Sequence, residues 1–111
     1  MWKYNKYNIG DVVGHKETPT IKFRVIGILC GVPEKKGNYL YESHRMFEED
    51  DETDFEELFT IGGKKYSEED LFLVRNPTQK ELKKMLKEVL PIAKYYNSLA
   101  GDISKRVIKK G

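Results

Sequence analysis

A dense acidic run near the middle of this 111-residue chain limits how the chain can fold. Residues 48–57 hold eight carboxylates in ten positions, and these repel one another too strongly to pack together in a hydrophobic core. The run therefore predicts a solvated loop. The core has to be assembled from the segments on either side of it, and a chain of this length has room for one such core.

Three strands are predicted before the acidic run. The first covers residues 9–13, and the third covers residues 38–43, with two tyrosines on one face. The second covers residues 21–30, where apolar residues alternate with Lys22 and Arg24 in the period of a half-buried strand. Gly27 interrupts that alternation, which predicts a β-bulge or a sharp bend.

After the run, the Gly62-Gly63 pair predicts a hairpin tip, because such turns use the positive φ angles that glycine adopts easily. A helical turn capped by Ser67 is expected next, followed by a strand over residues 71–74. Eight apolar side chains of these strands are predicted to be mostly buried: Phe23, Val25, Ile28, Leu40, Phe59, Ile61, Leu71 and Leu73.

The C-terminal third has a helical pattern. Thr78 and Glu81 have the spacing of a capping box, and apolar residues from Leu82 to Leu90 recur at helical intervals opposite lysines. Pro91 removes a helical hydrogen bond, so a kink or break is expected there. Residues 103–110 fit either a short strand or a frayed helix.

Five short strands, a helical turn before the last one and the opening Ile9-Gly10-Asp11-Val12-Val13 together resemble the SH3-like small barrels over about residues 7–75. The resemblance implies the barrel and does not extend to residues 77–111, so the prediction of an α+β fold in one domain also depends on the helical pattern of the C-terminal third. Residues 1–76 would form a small antiparallel β-barrel with an acidic loop at 44–57. Residues 77–111 would form a helical extension packed on the barrel. Barrels of this kind are mostly binding modules for peptides, nucleic acids or proteins, and the fold does not choose among them.

Charge is strongly segregated along the chain. Residues 1–41 carry a net +4, residues 42–76 a net −8 and residues 77–111 a net +6. Such stripes steer encounters and select partners. Short, lysine-rich, charge-striped chains are also similar to the small accessory proteins that bacteriophages encode, which suggests an inhibitor or modulator of a host protein.

The leading hypothesis is a non-catalytic module that binds another protein. Its docking surface would be the acidic loop, with the carboxylates of Glu48, Glu49, Asp50, Asp51, Glu52, Asp54, Glu56 and Glu57. The alternative is nucleic-acid binding through a basic helical face made of Lys80, Lys83, Lys84, Lys87 and Lys94. In that alternative, Trp2, Tyr39 or Tyr41 would stack on bases.

Catalysis and cofactors are not expected. His15, Cys30 and His44 lack the spacing of a metal site, and the acidic run does not match a calcium-binding loop, because its sixth and twelfth positions from Asp50 are Phe55 and Ile61. A lone cysteine and the lack of an apolar run near 18 residues predict a cytoplasmic protein without a membrane partner, in the host cytoplasm if it is phage-encoded. An assembly subunit that pairs through strand edges remains a third class.

Overall fold

The computed structural model describes residues 4–30, 37–46, 63–90 and 103–107. Five strands lie within these ranges: β1 (Val12–His15), β2 (Thr18–Cys30), β3 (Tyr39–Arg45), β4 (Lys64–Ser67) and β5 (Leu71–Arg75). A 3-10 turn at Glu68–Asp70 joins β4 to β5, and helix α1 covers Gln79–Val89. Residues 103–106 form a further helical turn, so the helical alternative holds for this described part of residues 103–110.

The strands form one antiparallel sheet in the order β4-β3-β2-β1-β5, and with α1 they make the α+β fold that was predicted. The expectation of a closed barrel is wrong. No ladder joins β4 to β5 within the part of the chain that the structure describes. Among the described strands, β4 pairs only with β3 and β5 pairs only with β1, so these two edge strands leave the sheet open.

The open sheet is nevertheless strongly curled. In a flat sheet of five strands, the two edge strands would lie about 19 Å apart. Here the edge strands β4 and β5 are joined by the three residues of Glu68–Asp70, which allow a span of at most about 14 Å. The sheet therefore forms a trough. Ser67 precedes the turn as predicted, although its side chain makes no capping hydrogen bond.

An N-terminal segment, residues 4–9, crosses part of the inner face of this trough. The buried hydroxyl of Tyr41 accepts hydrogen bonds from the backbone N–H groups of Lys6 (2.9 Å) and Tyr7 (3.2 Å). It donates to Oε1 of Glu68 at 2.9 Å, and the same oxygen accepts from the Lys6 N–H at 2.8 Å. Side chains of the sheet, not a backbone ladder, thus hold this segment in place.

This arrangement predicts an alkaline loss of stability. Burial raises the pKa of the Tyr41 hydroxyl well above its ordinary value, and Glu68 raises it further. The folded state therefore keeps a proton that the unfolded state loses near pH 10, so the free energy of unfolding falls as pH rises above 10. The slope from this group approaches about 1.4 kcal/mol per pH unit.

Urea unfolding between pH 9 and pH 11 measures this slope. Tyr41→Phe removes the titrating hydroxyl, so its average slope over this range should be shallower than the wild-type slope by about half of that limiting value. Equal slopes in the two proteins would contradict the assignment.

The core prediction is confirmed for Phe23, Val25 and Leu71, and Ile28 is half-buried. It is wrong for Leu40 and Leu73, which are 41% and 47% exposed. Leu40 alternates along β3 with two buried tyrosines, so it lies on the opposite face of that strand. Phe59 and Ile61 lie outside the described residues, as does the first arm of the hairpin predicted at Gly62-Gly63.

Helix α1 has the start that was predicted. The Thr78 hydroxyl accepts from the Glu81 N–H at 3.1 Å, and a Glu81 carboxylate oxygen accepts from the Thr78 N–H at 3.0 Å, which completes a capping box. Its buried stripe is Leu82, Met85 and Val89. The helix ends at Val89, and Pro91 itself lies outside the described residues.

The bulge predicted at Gly27 is present, because the β2–β3 register shifts between Val25 and Gly27. β3 runs to Arg45, so the first two positions of the predicted 44–57 loop belong to a strand. Within the described ranges, no helix combines the length and the hydropathy needed to cross a lipid bilayer.

Candidate functional site

A groove of about 570 Å³ opens on the trough, and none of residues 4–9 lines it. It is bounded by β2, β3, β4 and the residue just before β4. The lining residues are Thr18, Ile21, Phe23, Ser43, His44, Arg45, Gly63, Lys64 and Tyr66.

Aromatic rings from distant strands meet at this groove. The ring of Tyr66 on β4 lies 5.5 Å from the ring of Phe23 on β2 and 5.0 Å from the ring of His15 on β1, measured between centroids. In a flat sheet β4 and β1 would be about 14 Å apart. The curl of the sheet, together with the small Ser43 on the intervening strand β3, brings these rings together.

Close backbone packing fixes one wall of the groove. A Cβ atom on Gly63 would lie 2.3 Å from the carbonyl oxygen of Ser43, so no larger residue fits without moving β3. The Gly63 N–H also donates to Oε1 of Glu42 at 3.0 Å. The predicted positive φ at Gly63 is wrong, because among described glycines only Gly10 and Gly37 have positive φ. Glycine is needed at position 63 because the backbone there lies very close to the backbone of Ser43.

The groove has a positive wall. Arg45 and Lys64 line it, and the Glu42 carboxylate, on the other face of β3, accepts from the N–H of the lining residue Gly63. Lys64 is exposed and pairs in register with Ser43, so the two side chains leave the sheet on the same face. These two basic residues stand on either side of the acidic run in the sequence.

The acidic run is attached at the rim of this groove. The chain enters residues 47–62 from Met46, directly after β3, and rejoins the sheet at Gly63. All eight predicted docking carboxylates (Glu48, Glu49, Asp50, Asp51, Glu52, Asp54, Glu56 and Glu57) lie outside the described residues. The predicted partner surface is thus tethered beside the groove by its two ends.

A second charged cluster serves to hold α1 on the sheet. The guanidinium of Arg24, 1% exposed, donates to the Gly10 carbonyl at 2.9 Å and to the carboxylate of Glu81. Arg75 donates to both oxygens of Glu81, at 2.7 and 3.1 Å. Because partners from three elements converge on one carboxylate, this cluster is scaffold and not a binding site.

The protonation of Glu81 follows from these contacts. Burial alone would raise the pKa of this carboxyl. Hydrogen bonds from Arg75, from the Thr78 backbone and from Arg24 outweigh burial, so its pKa is held well below the usual range. A separate pair, Arg106 to Asp11 at 2.8 Å, ties the 103–107 segment to the turn before β1.

The predicted basic helical face is present on α1, where Lys80, Lys83 and Lys87 recur at helical spacing. Lys80, Lys83 and Lys87 are exposed on α1, Lys84 is half-buried and Lys94 lies outside the described residues. Tyr39 and Tyr41 are 1% and 0% exposed, so their proposed role in stacking on bases is wrong. Trp2 lies outside the described residues.

The histidines and the cysteine do not form a metal centre within the part of the chain that is described, where no group of three potential ligands occurs. His15 instead packs edge-on against Tyr66, and its Nδ1 accepts from the Glu17 N–H at 3.1 Å. His44 lines the groove, and Cys30 is half-buried at the end of β2.

The groove residues were missed by reasoning from sequence. Ile21, Phe23 and Tyr66 carried only a strand signal, and Lys64 was taken as part of a hairpin tip. One usable signal exists in retrospect. Ser43 is a small inward-facing residue that follows two inward-facing tyrosines, and a small residue on an inner face leaves space above it.

Comparison of the chain with protein-family models, with curated proteins and with solved structures finds no match.

Proposed function

We propose that this chain is a non-catalytic protein-binding module that receives a segment of a partner protein in the groove. The observation that carries the proposal is the open groove itself, which has an aromatic floor, a positive wall and a backbone fixed by the Gly63–Ser43 contact. Concave sites with apolar floors and a few polar groups are the usual form of binding sites. When the groove holds that segment, the activity of the partner protein would be inhibited or redirected.

The acidic run would act together with the groove. Its eight carboxylates are tethered at the rim and would attract basic residues of the partner that lie outside the groove. The strand order and the 3-10 turn before β5 support the resemblance to SH3-like modules, here with an open seam between β4 and β5.

Photo-crosslinking tests this function at defined positions. A benzoylphenylalanine placed at Tyr66 probes the groove, and one placed at Lys83 on the exposed face of α1 is the matched control. We expect position 66, and not position 83, to give a nuclease-resistant protein adduct in an extract of the source cells. A nucleic-acid adduct at position 83, or no adduct at position 66, would contradict the proposal.

Nucleic-acid binding is tested separately by fluorescence anisotropy with labelled DNA and RNA at physiological salt. We expect no affinity beyond the non-specific range of about 10⁻⁴ to 10⁻⁶ M. The reason is that residues 42–76, with a net charge of −8, belong to the same small protein and repel the phosphate backbone. Submicromolar binding that weakens with salt and is lost in a Lys83→Glu/Lys87→Glu variant would favour nucleic acid instead.

A further inference from the structure

We infer that the partner segment binds in an extended conformation as a sixth strand, paired antiparallel along the outer edge of β4, with one side chain directed into the groove. This inference rests on the proposed function, because it names how the groove holds the segment. It depends on two described features, the backbone groups on the outer edge of β4 and the position of Tyr66 between them.

The pairing of β3 decides which backbone groups of β4 are available. The backbone N–H of Met46 donates to the Lys22 carbonyl at 2.9 Å, on the side of β2. Because the backbone groups of successive strand residues point to opposite sides, Tyr41 and Ser43 turn theirs towards β4. The residues of β4 that lie opposite Tyr41 and Ser43 therefore use their backbone groups within the sheet, and the other residues of β4 do not.

Lys65 and Ser67 are the two residues whose backbone groups face outwards, since Lys64 and Tyr66 are the ones opposite β3 residues that bond to β4. The Ser67 carbonyl begins the 3-10 turn and is used there. The N–H and C=O of Lys65 and the N–H of Ser67 make no hydrogen bond with any part of the chain that the structure describes. Such groups on a sheet edge are a template for an added strand.

Tyr66 stands between the two outward-facing residues and lines the groove. In antiparallel pairing, the partner residue opposite Tyr66 would form a non-hydrogen-bonded pair, in which the Cα atoms are about 4.5 Å apart and the side chains lie closest. Its side chain would leave the sheet on the same face as Tyr66 and reach the Tyr66–Phe23 ring pair. An apolar or aromatic residue is therefore expected at this position, with its two neighbours pointing away from the groove.

The charge around the edge favours a segment with a net positive charge. The acidic run joins the sheet at Gly63, directly before β4, and the Glu42 carboxylate accepts from the Gly63 N–H at the same end. With every basic residue counted, residues 42–76 still carry a net −8. An antiparallel segment has its C-terminal side at this end of β4, so basic residues are expected after the apolar one.

A second copy of the chain fits this edge less well than a partner segment. Two-fold symmetric pairing of two β4 strands is antiparallel. With Lys65 opposite Ser67 of the other copy, the turn at Glu68–Asp70 in one copy would lie opposite the start of β4 in the other, where the acidic run joins. Like charges would then meet at both ends of the pair and repel each other.

The experiment begins with a displayed random heptapeptide library selected on the purified full chain, and one enriched peptide is then synthesised with single N-methylated amides. The residue directly after the apolar one would lie opposite Lys65 and donate its N–H to the Lys65 carbonyl. Methylation of that amide should weaken binding by about 10- to 100-fold, as loss of a hydrogen bond and an unpaired carbonyl imply. The amide of the apolar residue itself points away from β4, so its methylation is the matched control and should change binding by less than about threefold.

Lys65→Pro tests the same bond from the side of the protein. Proline removes the outward-facing N–H, and an edge strand tolerates it there because that N–H is not used in the sheet. Lys65→Ala removes the same side chain but keeps the N–H. We expect Lys65→Pro to weaken binding of the peptide by at least about 10-fold and Lys65→Ala to change it by less than about threefold.

The outcomes separate this inference from the proposed function. Peptides that lose binding in Tyr66→Ala but tolerate methylation of both amides would overturn the inference and leave the function standing. Enriched peptides with a net negative charge would also overturn it, as would a dimer in analytical ultracentrifugation that Lys65→Pro abolishes. A selection in which no enriched peptide is sensitive to Tyr66→Ala or Lys65→Pro would overturn both. The methylation series uses the wild-type chain, so it remains decisive even if a variant unfolds.

Discussion

Replacement of Glu81 by alanine is expected to lower the free energy of unfolding by about 3–5 kcal/mol, the usual cost of removing one partner from a buried ion pair. The guanidinium of Arg24 is 1% exposed and would lose its carboxylate, and Arg75 would lose both of its contacts to α1. The same change removes the side-chain half of the capping box at Thr78. Urea unfolding at pH 7 measures the loss.

Two variants control for other causes. Lys83→Ala alters an exposed residue of the same helix and should change stability by less than about 0.5 kcal/mol. Glu81→Gln keeps the shape but cannot titrate. Because the pKa of Glu81 is lowered in the folded state, its contribution is present above the unfolded value of about 4.3 and is lost as pH falls below it. The wild type should therefore lose more stability on acidification than Glu81→Gln. If Glu81→Ala costs no more than Lys83→Ala, the cluster does not hold the helix.

Met85→Ala is the second change with a large expected effect, a loss of about 2–5 kcal/mol in the free energy of unfolding. Met85 is 0% exposed in the centre of the buried stripe of α1, and its sulfur lies 3.5 Å from the position that a Cβ on Gly10 would occupy. Truncation leaves a cavity between the helix and the turn before β1. That cavity cannot collapse easily, because the Arg24–Glu81 contact fixes the helix position.

The matched control for Met85→Ala is Leu90→Ala. Leu90 is also a large apolar residue and lies just beyond the end of α1, but it is 57% exposed. Its truncation should change stability by less than about 1 kcal/mol, because less apolar area is lost from contact. Denaturant midpoints for the two variants give the comparison. Similar losses would mean that α1 is not anchored through its buried stripe.

Arg24 shows what the sequence could not reveal about the fold. The alternation along residues 21–25 correctly predicted a strand with Phe23 and Val25 on the inner face. It also implied an exposed Arg24, since a charged residue on a half-buried strand normally faces water. The helix that covers this other face is 57 residues away along the chain. No local pattern records that Glu81, which the sequence marked only as a capping residue, also neutralises Arg24.

The candidate site was hidden for a related reason. The pattern in residues 39–41 placed the two tyrosines opposite Leu40 but could not say which face would be buried. The answer depends on backbone N–H groups of residues 4–7, which satisfy the tyrosine hydroxyls from about 35 positions away. Once the tyrosines face inward, Ser43 does too, and the groove forms above it. Hydrogen-bond partners far away in the sequence thus determine which side chains are buried in the core and where the groove forms.

The three-residue turn between β4 and β5 also bears on the kinetics of binding. Tyr66 and Lys64 belong to β4, and β4 cannot move far from β2 without pulling β5 away from β1. The groove would therefore have its shape before the proposed partner segment arrives. For the proposed binding of a partner segment, association is expected at docking rates of about 10⁵–10⁷ M⁻¹s⁻¹, and faster for segments that the acidic run attracts. Segments of equal charge would then enter the groove at similar rates and differ mainly in how long they stay bound.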